Sequence, residues 1–364
     1  MAANLKSEPR WRAIHRELRG QLSSYRFGDD YHTISDLCQR FDVSKITAIR
    51  VLDELANEGV IEKIRGRGNV VRQVTQPYMV RLLLPARARH VELALDPVIR
   101  RLLDGIAAAA GKLQVDYNIL SEANLQSLFP RSEGDFGFLV LRQISRDSLA
   151  FLRSHGLPFI LVDPLNRYRG LSHVRSDRRR SGYLATRHLL DLGHRNIAYI
   201  TGLIEQRNVR QRVQGYRQAL TEDGVRFRWS MIRQCPAIHE EVETAFESLW
   251  RQPVRPTAVM AGDDTRAIVV LEACRRMGID VPGQLSVVSY PNHADAALSR
   301  PALTAVDAHF ERIAHAAVQR LLERMTHPGE SRPLAQLIEP ELVLRQTTAA
   351  PPAAVRRSRR SRSL

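Results

Sequence analysis

The chain is expected to be an α/β protein: a small N-terminal winged helix-turn-helix unit, then a larger two-lobed core with two doubly wound parallel sheets. Three observations lead there. The first 75 residues read as three short amphipathic helices and a hairpin with a glycine-rich tip. From Met79 the pattern changes to short continuous apolar strands alternating with amphipathic helices, the signature of parallel sheets covered on both faces. At 364 residues the chain also exceeds what one hydrophobic core usually accommodates, so two or three structural units are expected.

Each element follows from local chemistry. Trp11, Ile14, Leu18 and Leu22 share one helical face, with Ser7 and Pro9 as start signals. "TISD" opens a second, shorter helix, where Thr33 can cap and Asp36 can answer it three residues on. Ser44 is the N-cap of a third helix, whose Ala48, Val51, Leu52 and Leu55 fall at i, i+3, i+4 and i+7. The other face of that helix carries Lys45, Thr47 and Arg50, and Gly59 ends it. "VIEKI" and "NVVRQV" then flank "RGRG", a hairpin whose glycines let the backbone turn tightly and approach another surface closely. In a winged helix the third helix enters the major groove while the hairpin tip reaches phosphates or the adjacent minor groove.

The polar stretch "QVTQPY" at 73–78 separates the units, which sets a first domain at 1–75, a linker at 76–78 and a core at 79–348. In that core "MVRLLLP", "FGFLVL" and "PFILVD" read as strands of a first sheet, and "NIAYITG", "TAVMAGDD" and "SVVSY" as strands of a second. Residues 349–364 are expected to be a basic disordered tail, because "VRRSRRSRSL" has five arginines and no acid.

Composition narrows the function classes. A formal charge of +15 favours a polyanionic partner such as nucleic acid. The three cysteines, at 38, 235 and 274, form no C-x-x-C pair, so neither a disulfide framework nor a cysteine zinc site is suggested and a reducing compartment is expected. No signal-peptide h-region and no run of about 18 apolar residues is present, so a cytoplasmic protein without a membrane partner is expected. No P-loop, G-x-S-x-G, H-E-x-x-H or G-x-G-x-x-G motif stands in a proper strand-to-helix context, so neither an enzyme nor a cofactor is implied.

Residues 5–72 resemble the winged-helix domain of the GntR family through "ISDLCQRFDVSKITAIRVLDELANEGVIEKIRGRGNVV". Ser35 and Ile49 depart from it, since many members carry arginine there. The resemblance implies DNA contact by Lys45, Thr47, Arg50, Arg65, Gly66 and Arg67, with Ser44 either capping or touching DNA. Arg50 is the residue expected to read a base edge, because a bidentate guanidinium matches guanine O6 and N7.

Residues 79–348 resemble the effector-binding core of the LacI/GalR regulators, which is related to periplasmic sugar-binding proteins. The resemblance rests on "VRSDRRRSGYLATRHLLDLGHRNIAYITG", "RQRVQGYRQALTEDGV", "RPTAVMAGDDTRAIVVLEACRRMGIDVPGQLSVVSY" and "RPALTAVD". It implies a dimeric repressor that reads a palindromic operator in double-stranded DNA and is controlled by a small polar effector, a sugar or sugar derivative. Arg212 matches the family's ligand-binding arginine, and Asp263 stands where the family usually has Asn. Asp163, at the end of a first-lobe strand, is a further candidate ligand. In "SYPNHAD" the usual carboxylate is replaced by Pro291 and Asn292, of which Asn292 could still bond hydroxyls. That departure motivates a competing reading, an effector-independent architectural DNA binder with a degenerate cleft.

Overall fold

The computed structural model describes residues 9–25, 28–72, 79–85, 96–113, 115–128, 136–326 and 333–352. The first unit comprises α1 (Arg10–Gln21), α2 (Ile34–Phe41), α3 (Lys45–Asn57) and the antiparallel pair β1 (Ile61–Ile64) and β2 (Gly68–Val71). Pro9 stands at the N-cap of α1, and Ser7 lies outside the described residues. Thr33 and Asp36 form a complete capping box on α2, and the Ser44 hydroxyl accepts from the Thr47 amide at the start of α3. Ile14, Leu18 and Leu22 meet Val51, Leu52 and Leu55 in one core that β1 and β2 close with Ile61 and Val71. Ile64 pairs with Gly68, leaving Arg65, Gly66 and Arg67 as the tip, with Gly66 in the left-handed region at φ 83°.

The first lobe contains β3 (Met79–Leu84), α4 (Pro97–Leu113), β4 (Asp116–Ser121), α5 (Leu125–Leu128), β5 (Phe136–Leu141), α6 (Arg146–Ser154), β6 (Phe159–Val162) and β7 (His173–Ser176). The second contains α7 (Arg178–Asp191), β8 (Ile197–Thr201), α8 (Arg207–Glu222), β9 (Ile232–Gln234) and α9 (His239–Trp250). It continues through β10 (Ala258–Ala261), α10 (Asp264–Arg276), β11 (Ser286–Ser289), α11 (Ala294–Leu298) and β12 (Thr304–Asp307). The chain then returns to the first lobe with α12 (Phe310–Thr326) and β13 (Ala335–Ile338), and ends in the second with β14 (Glu341–Val343).

The sheets run β4-β3-β5-β6-β7-β13, all parallel, and β9-β8-β10-β11-β12-β14, parallel except for β14. Continuous apolar strands such as Phe159–Val162 and Ala258–Ala261 are buried throughout, as a sheet covered on both faces requires. Strand order reverses between β3 and β5 in one lobe and between β8 and β10 in the other. Open α/β sheets bind ligands at such a switch point, beyond the carboxyl ends of the strands.

The tail expected from 349 begins inside the fold. The Ala349 amide donates to Ser286 Oγ at 3.0 Å, and its carbonyl accepts from Ser286 Oγ and from His194 Nε2 at 2.9 Å. These bonds satisfy buried polar groups of the second lobe. Residues 353–364 and the linker at 76–78 lie outside the described residues.

Candidate effector cleft and DNA-reading surface

On α3 the exposed side chains are Lys45, Ile46, Ile49, Arg50, Asp53 and Asn57, the first four of them on its N-terminal half. The Ser44 and Thr47 hydroxyls bond each other at 3.0 Å, so both serve the start of the helix. Arg50, expected to read a base, lies with its guanidinium 4.3 Å from the centre of the Trp11 ring on α1, at the edge of the reading face. Ile46 is 80% exposed, and Ile49 follows it on the same face three residues later. Two apolar side chains thus turn to solvent at the N-terminal half of the helix, and neither was among the candidate contact residues read from the sequence. Their signal was present, because neither fits the buried stripe of Ala48, Val51, Leu52 and Leu55.

On the hairpin, Arg67 is tied back to the body of the domain. Its Nε donates to Asp30 at 2.8 Å and its Nη2 to the Gly28 carbonyl at 2.8 Å. Arg65 has no ion-pair partner among the described residues. The expected pair of DNA-contacting wing arginines is thus divided into one brace and one free cation, because the wing packs against residues 28–30.

In the core, the residues expected at the cleft receive distinct tasks. Asp163 ends β6 with φ 44°, is 1% exposed, and is held by Arg142 at 2.6 Å and Arg178 at 2.7 Å. Burial alone would raise its carboxyl pKa, but Arg178 and Arg142 outweigh that and hold it below the ordinary value. Both of its oxygens are held by arginines, so this candidate ligand group serves as the common counter-ion of Arg142 and Arg178. Asp263 caps α10 through the Arg266 amide at 2.9 Å and forms an ion pair with the Arg266 side chain. Its cap role follows from its extended backbone just before the first helical turn.

Asn292 has both polar atoms of its side-chain amide engaged. It takes a left-handed φ of 70°, donates to Asp307 at 2.8 Å and accepts from Arg345 at 2.7 Å. Arg101 of α4 donates to the Asn292 carbonyl at 3.0 Å and pairs with Asp307 and Glu311. Asn292 therefore belongs to a clasp joining the first lobe to the β12–α12 crossing.

Arg212 remains in place. It is 6% exposed, its guanidinium lies 4.6 Å from the centre of the Tyr290 ring, and its Nε has no hydrogen-bond partner. It lines a cavity of about 450 Å³ together with Gly202, Gln206, Asn208, Asp263 and Arg266. Gly202 and Asp263 place that cavity beyond β8 and β10, at the second-lobe switch point. Its volume lies within the range of small-molecule sites.

Beside the cavity, Asp264 accepts from Ser289 at 2.5 Å and from the His293 amide at 2.7 Å. Burial pushes its carboxyl up to about 6 from 3.8. His293, stacked on Phe310, is pushed down to about 4 from 6.5, first by burial and then by Arg101. The raised carboxyl contributes stability that is present below 3.8 and lost as pH rises through about 6. The depressed imidazole contributes stability that is present above 6.5 and lost as pH falls through about 4. Between those limits the two slopes oppose each other. Asp264→Asn should therefore lose stability more steeply on acidification from pH 7 to pH 4 than the parent, in urea unfolding at fixed ionic strength. Identical slopes would refute the pairing.

Among the described residues no group of three or more His, Cys, Asp or Glu could hold a metal ion. No described helix is long and apolar enough to cross a membrane.

Comparison with known proteins agrees with this architecture. Residues 186–348 match the periplasmic binding protein-like domain. Residues 28–74 match the DeoR-like helix-turn-helix domain, which corrects the GntR assignment. The residues behind that assignment form a capped helix and a glycine turn, which local helix and turn chemistry explains without reference to either family. The HTH-type transcriptional repressor PurR of Glaesserella parasuis is 32% identical over 176 residues, 47% of this chain and 50% of that protein. The HTH-type transcriptional regulator DegA of Bacillus subtilis is 29% identical over 292 residues, 75% of this chain and 86% of its own length. Over segments like that shared with PurR, the chain spans about half the length of the curated relatives it matches. Among solved structures, a LacI family transcriptional regulator from Mycobacterium smegmatis superposes with a TM-score of 0.60 at 26% identity, covering 75% of this chain and 99% of that one.

Proposed function

We propose that this chain, which joins a helix-turn-helix domain to a periplasmic-binding-protein-like core, is a sequence-specific DNA-binding transcription regulator. It acts as a repressor, as the name of the PurR relative supports. Its core closes on a small polar effector and its two-fold dimer reads a palindromic operator. The observation that carries the reading is a solvent-facing reading helix joined, in one chain, to a two-lobed core with a cavity at its strand ends. That cavity also argues against the architectural alternative, which needs a decayed cleft. For the effector to act, it must bind the two DNA-binding states of the dimer unequally.

On DNA, the N-terminal half of α3 enters the major groove. Ile46 and Ile49 there meet thymine methyl groups, the apolar features of that groove, while Lys45 and Arg65 neutralise phosphates. Ile46→Ala is expected to reduce discrimination at one operator position by about 1 kcal/mol. Lys45→Ala should leave sequence preference unchanged while lowering the log–log salt slope by about one.

The deciding experiment is selection of sites from fragmented genomic DNA by the purified protein at near-physiological salt. An enriched palindrome with half-sites about one or two helical turns apart is expected. Retention no better than that of an unrelated basic protein, with and without metabolite extract, would reject the regulator reading.

A further inference from the structure

The way the two sheets meet gives the core two outward poles. β7, β12 and β13 each pass the chain to the other lobe from their carboxyl ends, so the carboxyl ends of both parallel sheets face each other and their amino ends point outward. The chain enters the core at Met79, the amino end of β3, so the helix-turn-helix unit is attached at the first-lobe pole. The second-lobe pole is built from the connections that enter β8, β9, β10, β11 and β12.

Those five connections, residues 192–196, 223–231, 251–257, 277–285 and 299–303, hold six arginines against two aspartates, with no lysine or glutamate. Arg195 pairs with Asp223, and Arg251 with Glu247. Arg226, Arg255 and Arg300 are exposed and have no ion-pair partner among the described residues. They stand before β9, β10 and β12 in a sheet ordered β9-β8-β10-β11-β12, so at about 4.8 Å per strand they spread over roughly 20 Å. The C-terminal segment runs across the same pole. The Gln346 amide donates to the Ala302 carbonyl at 2.9 Å, and the Thr347 carbonyl accepts from the Val287 amide at 2.8 Å. Ala349 is held by Ser286 and His194, and Pro351 lies 3.6 Å from where a Cβ on Gly193 would stand, in the α7–β8 turn. The sequence after Pro352 carries Arg356, Arg357, Arg359, Arg360 and Arg362 and no acid. It therefore leaves the fold from the middle of the basic pole.

We propose that this pole is a second, sequence-independent DNA-binding surface. Arg226, Arg255, Arg300 and the arginines after Pro352 hold the phosphates of one duplex while the helix-turn-helix unit at the other pole reads another. A duplex carries about one charge per 1.7 Å of its axis, so a row of phosphates meets cations spread over such a width, which a small anion cannot do. Duplex DNA is the polyanion that the reading head keeps within reach, and in that choice the inference rests on the regulator reading above. The consequence is bridging: one molecule holds two DNA segments, and the second contact weakens steeply as salt rises.

The test is a capture assay with the full-length protein. Genomic duplex fragments are fixed to beads, loaded with protein, washed, and offered a labelled duplex of unrelated sequence at near-physiological salt. The parent is expected to capture the labelled duplex. A triple variant, Arg226→Gln with Arg255→Gln and Arg300→Gln, and a chain stopped after Pro352 should each capture about tenfold less or lower. Both should load onto the bead-bound DNA as the parent does, which also shows that they are folded. In the triple variant the log–log salt slope of capture should fall by about two to three. Failure of the parent to capture, capture undiminished in either variant, or preferential capture of a labelled single-stranded RNA or a phosphatidylglycerol vesicle over the duplex would overturn the proposal. Palindrome enrichment without capture rejects the pole alone, and capture without enrichment rejects the reading head alone.

Discussion

Gly215→Val is expected to destabilise the second lobe by about 3 kcal/mol or more, because α7 and α8 touch backbone to backbone at that position. A Cβ on Gly215 would lie 1.9 Å from the Arg179 carbonyl oxygen and 2.6 Å from the Tyr183 amide nitrogen. Reciprocally, a Cβ on Gly182 would lie 2.1 Å from the Arg212 carbonyl oxygen. No side-chain rotation can relieve a clash with main-chain atoms, so the two helices must part. Arg212 sits one turn before Gly215 on the same helix, and parting α7 from α8 would move it away from Tyr290. Loss of stability and loss of effector affinity should therefore appear together. Guanidinium unfolding monitored by tryptophan fluorescence measures the first. A Gly215→Val protein within about 0.5 kcal/mol of the parent would show that the helices do not depend on this contact.

The second large effect concerns Asp163. Removing its carboxylate leaves Arg142 and the fully buried Arg178 without their common counter-ion, and breaking a buried pair in this way costs about 3–5 kcal/mol. Asp163→Ala should therefore reduce the midpoint of denaturant unfolding substantially at neutral pH. The sign of the pH dependence follows from the depressed carboxyl pKa. The stabilisation is present above the unfolded-state value of 3.8 and is lost as pH falls through the lower folded-state value, so parent and variant should converge in acid. A direct ligand role predicts a different outcome, in which Asp163→Ala retains the parent's unfolding midpoint and loses only effector affinity.

Particular residues show how far the sequence was legible. Thr33 with Asp36, and Ser44 with Thr47, are caps spanning three residues, and both are visible in a linear reading because partners and spacing are local. The same holds for the buried stripe of α3 and for the apolar strands of both sheets. Arg212, singled out through its motif, lines the cavity. By contrast, Asp163 meets Arg178 fifteen residues on, Asn292 meets Arg345 fifty-three residues on, and Arg67 meets Asp30 thirty-seven residues back. Which polar side chain is consumed by which partner depends on loops that the fold brings together, and no periodicity encodes that.

The sequence by itself thus determined a winged helix followed by two parallel sheets, because helix and strand periods, caps and glycine turns act over a few residues. It also determined that a cationic chain would carry candidate ligand groups at strand ends. The tertiary structure decided which of those groups remain available. It tied Asp163 and Asp263 to arginines, placed Asn292 in the interlobe clasp, and left Arg212 lining the cavity with no ion-pair partner among the described residues. The physical reason is that charge pairing acts through space at a few ångströms, whatever the separation along the chain.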